Sequence, residues 1–145
     1  MRPPHPFAPG PAVGIDEVLI ARVVDSFYAK VRVDTEIGPI FNERIKDWPS
    51  HLEKLGSFWS SIMLLSGSYE GTPMQAHLAI PHLSGQHFTC WHRLFRATLA
   101  ELCTPDQANL FASRAERIGQ SFQYAMAIQR GEGPVKQFRP VTSDL

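Results

Sequence analysis

Six histidines punctuate the chain, and the surroundings of His77 set it apart from the rest. It sits in Met74-Gln75-Ala76-His77-Leu78-Ala79-Ile80-Pro81, a short apolar segment with a proline four residues on. A neutral imidazole held on a short, apolar, proline-limited helix suits a permanent axial ligand to a haem iron. The polar aromatics that could serve the opposite face, Tyr28, His51 and Trp91, all lie on other segments. Each also has an ordinary reading. A lone histidine is more often a hydrogen-bonded core or surface residue, and one in a first helical turn is usually solvated. A tyrosine on a helix face is usually core with its hydroxyl at the edge, and Trp91 and Trp59 would normally be packing. Spacing alone leaves both readings open.

Other chemistry finds less support. His77/His82 and His82/His87 are His-x₄-His pairs, but Pro81 falls within the first and Ser84-Gly85 within the second. Zinc prefers ligands on one rigid face with cysteine or carboxylate nearby, and no such set converges. No glycine-rich phosphate loop, nucleophile elbow or Cys-x-x-Cys is present, and no residue is assigned a catalytic role.

These residues must be positioned by a single domain. The chain has 145 residues, 43% apolar and 19% charged, with formal net charge zero. That is enough to bury a real core. Without a basic surplus to gather phosphates, neither nucleic acid nor an anionic membrane is expected as a partner. The opening Met1-Arg2-Pro3-Pro4-His5-Pro6 does not resemble a signal peptide, and no stretch reaches the length of a membrane span. Cys90 and Cys103 are too far apart along a helix for a disulfide, so a reducing cytoplasm is the expected location.

The proline-rich segment 1–13 and the tail 131–145 read as flexible extensions around a domain at 14–130. A periodic run from Ile15 to Asp34 places Leu19, Val23, Phe27 and Val31 on one helical face, with Val24 and Tyr28 beside them. Gly38-Pro39 breaks the chain, and Ile40-Phe41 begins a short helical turn. The next helix starts near Trp48-Pro49-Ser50, where Ser50-His51-Leu52-Glu53 resembles a capping box. It runs to about Leu65 with His51, Leu55, Phe58/Trp59 and Ile62 on one stripe. After the short His77 helix, Ser84 or Gly85 opens a helix to about Leu102, with Phe88, Trp91, Phe95, Leu99 and Leu102 on its inner face. Thr104-Pro105-Asp106-Gln107 signals the start of a last helix carrying Leu110, Phe111, Ile118, Phe122 and Ala125. No period-two alternation lasts long enough for a sheet. The expected class is all-α.

From about Ile15 to Gln129 the chain resembles a group III truncated haemoglobin. Matching stretches include Phe27-Tyr28-Ala29-Lys30-Val31-Arg32-Val33-Asp34, Ile37-Gly38-Pro39-Ile40-Phe41-Asn42 and Trp48-Pro49-Ser50-His51-Leu52-Glu53-Lys54-Leu55-Gly56-Ser57-Phe58-Trp59. They continue through Gly67-Ser68-Tyr69-Glu70-Gly71-Thr72-Pro73-Met74, the His77 segment, and Phe88-Thr89-Cys90-Trp91-His92-Arg93-Leu94-Phe95. The ordered motifs cover nearly the whole domain. The resemblance implies a globin-like, truncated two-over-two helical sandwich around haem b, with a shortened first globin helix.

It also implies a division of labour. His77 is then the proximal iron ligand, with Leu78 beside it. Tyr28 is the tyrosine over the distal face, His51 the distal histidine and Trp91 the tryptophan closing that pocket. Leu55 and Trp59 line the distal wall, flanked by Phe27 and Phe41. His92 departs from the family pattern, in which an apolar residue usually follows the tryptophan.

The implied function is binding of O₂, NO or another diatomic ligand by a cytoplasmic monomer. Donors from Tyr28, Trp91 and His51 would stabilise partial negative charge on the ligand, each bond contributing roughly 1.5–3 kcal/mol. Slow ligand release fits redox chemistry, such as NO dioxygenase-like or peroxidase-like activity with an unidentified reductase, better than bulk oxygen transport. A gas sensor, a haem carrier and a haem-free helical interaction module are the competing readings.

Overall fold

The structure, a computed structural model, describes residues 5–67, 84–129 and 131. His77 and Leu78 lie outside the described residues. Within them the chain forms five α-helices and no strand, as the periodicity predicts. They are α1 (Glu17–Val33), α2 (Gly38–Arg44), α3 (Trp48–Leu64), α4 (Gly85–Leu102) and α5 (Pro105–Gln129).

Local chemistry explains where the helices start. Asp16 caps α1 by accepting from the Leu19 amide at 2.9 Å. At α5 the Thr104 amide donates to Gln107 Oε1 (2.9 Å) and the Gln107 amide to Thr104 Oγ1 (3.3 Å), the reciprocal box expected from the sequence. Ser84 precedes α4, and its amide donates to His87 Nδ1 at 3.0 Å, which gives that histidine a structural task.

Helix α3 starts at Trp48, as expected, but its cap differs. Its cap is Asp47, which accepts from the Ser50 amide at 3.2 Å, rather than Ser50. Trp48 and Pro49 already belong to the first turn, where proline lacks only an N–H that has no intrahelical partner.

Helix α1 packs against α2, α3 and α4, and α4 packs against α5. The core runs through the middle of this assembly: Val23, Phe27 and Val31 of α1, Met63 of α3, Phe95 of α4 and Phe111 of α5 are all fully buried. The buried face of α5 comprises Phe111, Ala115, Phe122 and Met126, whereas Leu110 and Ile118 are half-buried. At the edge of the core, Lys30 Nζ reaches Glu101 Oε1 at 2.7 Å and links α1 to α4.

Two junctions fix the site-bearing helices. Gly38 packs so tightly that an added Cβ would stand 2.9 Å from the Val31 carbonyl oxygen, so α2 folds directly back on the end of α1. Residues 5–13, grouped by composition with the N-terminal extension, are bonded to the body of the protein. The His5 and Gly10 amides donate to the Leu64 and Met63 carbonyls, both at 2.8 Å, and Gln107 Nε2 donates to the Val13 carbonyl.

Candidate functional site

Tyr28, on the buried side of α1, is the centre of an aromatic cluster drawn from four helices. Its ring meets Phe41 of α2 at 6.2 Å, Trp48 and His51 of α3 at 6.0 and 6.1 Å, and Phe27 of its own helix at 4.6 Å. The indole of Trp91, on α4, completes the set: its ring meets Phe27 at 5.1 Å, and it comes within hydrogen-bonding reach of the Tyr28 hydroxyl. An indole N–H can only donate, so the tyrosine oxygen accepts and keeps its own proton to give onward.

Burial decides the protonation state of that hydroxyl. Removal from water pushes the Tyr28 phenol up to about 12, and donation from Trp91 offsets only part of the rise. At neutral pH the group is therefore a neutral donor.

Trp91 is held from behind. It stacks on Phe95 at 5.2 Å with an 18° interplanar angle, and Phe95 stacks on Trp59 at 5.4 Å with the same angle. Phe27 meets Trp91 and Phe95 edge-on, at 5.1 and 5.0 Å. Offset and edge-to-face ring contacts of this kind define orientation as well as burying area.

The structure thus brings together Tyr28, His51, Trp91, Phe27 and Phe41. Trp59, expected on the distal wall, lies behind Trp91 in the ring stack. It is 3% exposed and packed between Phe95 and Phe111, where it backs Trp91 at one ring's remove. Leu55 is half-buried against the core.

The sequence marks Trp48 only as a helix start, yet its ring lies 5.7 Å from that of His51. Its place three residues before His51, on the same side of a helix, was the available signal.

The α3 stripe is informative for a different reason. His51, Leu55, Phe58 and Ile62 are all half-buried, while Trp59 and Met63, one position further round, are buried. An apolar helix face left partly covered beside a cluster of polar aromatics fits a planar, largely apolar group with a polar reaction centre. The donor set suits haem: two aromatic N–H or O–H groups and an imidazole, in apolar walls. Among the described residues, no group of three or more His, Cys, Asp or Glu could hold a bare metal ion.

Comparison with known proteins places this arrangement. The fold is that of the truncated haemoglobins: a group II truncated haemoglobin from Bacillus anthracis superposes with a TM-score of 0.66 at 20% identity, covering 81% of this chain and 92% of that one. A crystal structure of the group III truncated haemoglobin from Campylobacter jejuni superposes with a TM-score of 0.74, covering 77% of this chain and 91% of that one. In sequence, a group 3 truncated haemoglobin of Campylobacter jejuni is 35% identical over 113 residues, 75% of this chain and 89% of the relative. The chain belongs to the group III truncated haemoglobin family. No protein-family model matches it.

Proposed function

We propose that the chain binds haem b through His77 and uses Tyr28, Trp91 and His51 to hold a diatomic ligand for redox chemistry on O₂, NO or peroxide rather than for bulk oxygen transport. The family membership supports haem, and the sequence around His77 supports that residue as the iron ligand. When bound, haem supplies an iron centre able to take up a diatomic ligand and to exchange electrons.

One observation carries the redox reading: the Tyr28 phenol is buried among the rings of Phe27, Phe41, Trp48 and His51 and keeps its proton at neutral pH, so it stands as a neutral donor in an aromatic wall. A ligand atom bearing partial negative charge is an acceptor for such a donor, and the surrounding rings exclude the water that would compete for the bond. Tyr28 is the donor, Trp91 orients and polarises it, and Phe27 and Phe95 hold Trp91 in place. His51, with its ring perpendicular to that of Tyr28, offers a second polar contact from α3.

Such binding favours retention. A carrier must release its ligand, whereas a reaction on the bound ligand gains from slow loss. The electrons would come from a reductase outside this monomer. Free Cys90 and Cys103 accord with a cytoplasmic setting, and among the described residues no helix is long and apolar enough to cross a membrane.

The test is spectroscopic and kinetic. Purified protein with added haem should develop a Soret band that His77→Ala abolishes or shifts. No band, or one indifferent to His77→Ala, overturns haem ligation by that residue. Tyr28→Phe should then speed O₂ dissociation by about tenfold or more, in line with loss of one charge-assisted hydrogen bond. An already fast rate that Tyr28→Phe leaves unchanged rejects the redox reading.

A further inference from the structure

The rings of Tyr28, Trp48 and His51 form a nearly equilateral triangle, with centroid separations of 6.0, 5.7 and 6.1 Å. His51 stands edge-on to both partners, at 86° to Trp48 and 90° to Tyr28. Trp48 is only 8% exposed although it is the first residue of its helix. Over its ring, 4.7 Å from the centroid, lies the guanidinium of Arg32 from the last turn of α1. The Arg32 backbone is itself tied to α2, because Asn42 Nδ2 donates to its carbonyl at 3.0 Å.

We propose that Arg32 and Trp48 form a latch that holds His51 against Tyr28, and so set how often the histidine stands beside the ligand-binding hydroxyl. Trp48 is a positioning residue in this scheme. It touches both the donor and the imidazole, and the cation over its ring holds it down from the opposite helix.

Tyr28 is buried on α1 and packed against the rings of Phe27 and Phe41. His51 is half-buried, so part of its ring faces solvent. Trp48 raises the cost of turning outward, because the imidazole loses an edge-to-face contact on leaving. Arg32 raises it further, because a guanidinium over an indole resists displacement of the ring. Arg32 is exposed, so replacing it removes the cation without opening the core.

This inference rests on the haem-binding reading, and the experiment separates the two. Arg32→Met keeps the apolar stem and removes the charge, whereas Arg32→Lys keeps a cation that can sit over the ring. Both variants, wild type, His51→Ala and the Arg32→Met/His51→Ala double variant are loaded with haem, reduced and exposed to carbon monoxide. Failure of wild type to give a Soret band rejects the haem reading.

With the band present in every variant, the infrared C–O stretch reports the polar contacts of the ligand. Arg32→Met should change the ratio of its sub-bands, and the carbon monoxide association rate, by about two- to fivefold. Arg32→Lys should restore wild-type behaviour. In the His51→Ala background Arg32→Met should add nothing, because the latch has nothing left to hold.

Trp48→Leu gives an independent check. In the proton spectrum of the carbon monoxide form, the His51 ring signals should move away from their ring-current-shifted positions. Unchanged sub-bands in Arg32→Met, or an Arg32→Met effect that persists in His51→Ala, overturns the latch. A fall in melting temperature alone, with bands and rates unmoved, assigns Arg32 and Trp48 to packing and overturns it equally.

Discussion

The Trp91 indole stands within hydrogen-bonding reach of the Tyr28 hydroxyl across the interface between α4 and α1, bringing together residues that are 63 positions apart in the chain. The contact links the stacked rings of Trp91, Phe95 and Trp59 to the one phenol around which the candidate site is built. That phenol is buried and stays protonated at neutral pH.

Alkaline stability should therefore depend on Tyr28. Its phenol ionises near 10.0 in the unfolded chain and is pushed up to about 12 in the folded protein by burial. Below pH 10 the stabilising contribution is fully present. Between about pH 10 and 12 the unfolded chain has released a proton that the folded protein retains, so stability falls as pH rises, by about 2–3 kcal/mol in all. Denaturant melts at stepped pH should show this slope in wild type and a shallower one in Tyr28→Phe. Trp91→Phe should push the Tyr28 phenol higher still, since the donated bond favours the phenolate. Identical alkaline slopes in wild type and Tyr28→Phe would contradict the burial argument.

Acid sensitivity should involve Asp34 at the α1–α2 turn. The Ile37 amide (3.0 Å) holds its carboxyl below the ordinary carboxylate range, helped by the Glu36 amide (2.8 Å), the Cys90 thiol and Arg93. This stabilisation is present above the ordinary carboxylate range and is lost as pH falls through the lowered folded value. Asp34→Ala should cost about 1–2 kcal/mol at neutral pH, with the deficit closing at strongly acid pH. A deficit that is constant across the acid limb would show that charge has no part in it.

Gly38→Ala should reach the site through the backbone. The new Cβ would meet the Val31 and Arg32 carbonyls at 2.9 and 3.1 Å, and neither can yield without displacing α1 or α2. The expected loss is about 1–3 kcal/mol. Because Phe41 on α2 packs against Tyr28, ligand dissociation should change together with melting temperature. A variant as stable as wild type would refute the close approach.

Cys90 should be chemically quiet. Burial and the neighbouring Asp34 carboxylate both push its thiol up, leaving little thiolate at pH 8. Mass spectrometry after brief iodoacetamide treatment should find Cys90 unmodified in native protein and alkylated once the chain is unfolded. Rapid native labelling would mean that the thiol is not held where the core places it.

What the sequence determined by itself was local or familial. Thr104 and Gln107 announce a helix start because a cap bonds to amides two or three residues away, and period-four apolar runs mark buried faces because 3.6 residues make a turn. The ordered motifs from Phe27 to Phe95 identified the family and nominated Tyr28, His51 and Trp91, and with them His77, which lies outside the described residues. The tertiary structure decided which of these residues meet. It brought Trp91 beside Tyr28, stacked Trp59 on Phe95, and set Trp48 beneath Arg32 and beside His51. Contacts of this kind depend on how α1, α3 and α4 are placed against one another. That placement is set by close packing of the whole core and leaves no periodic mark on any single helix.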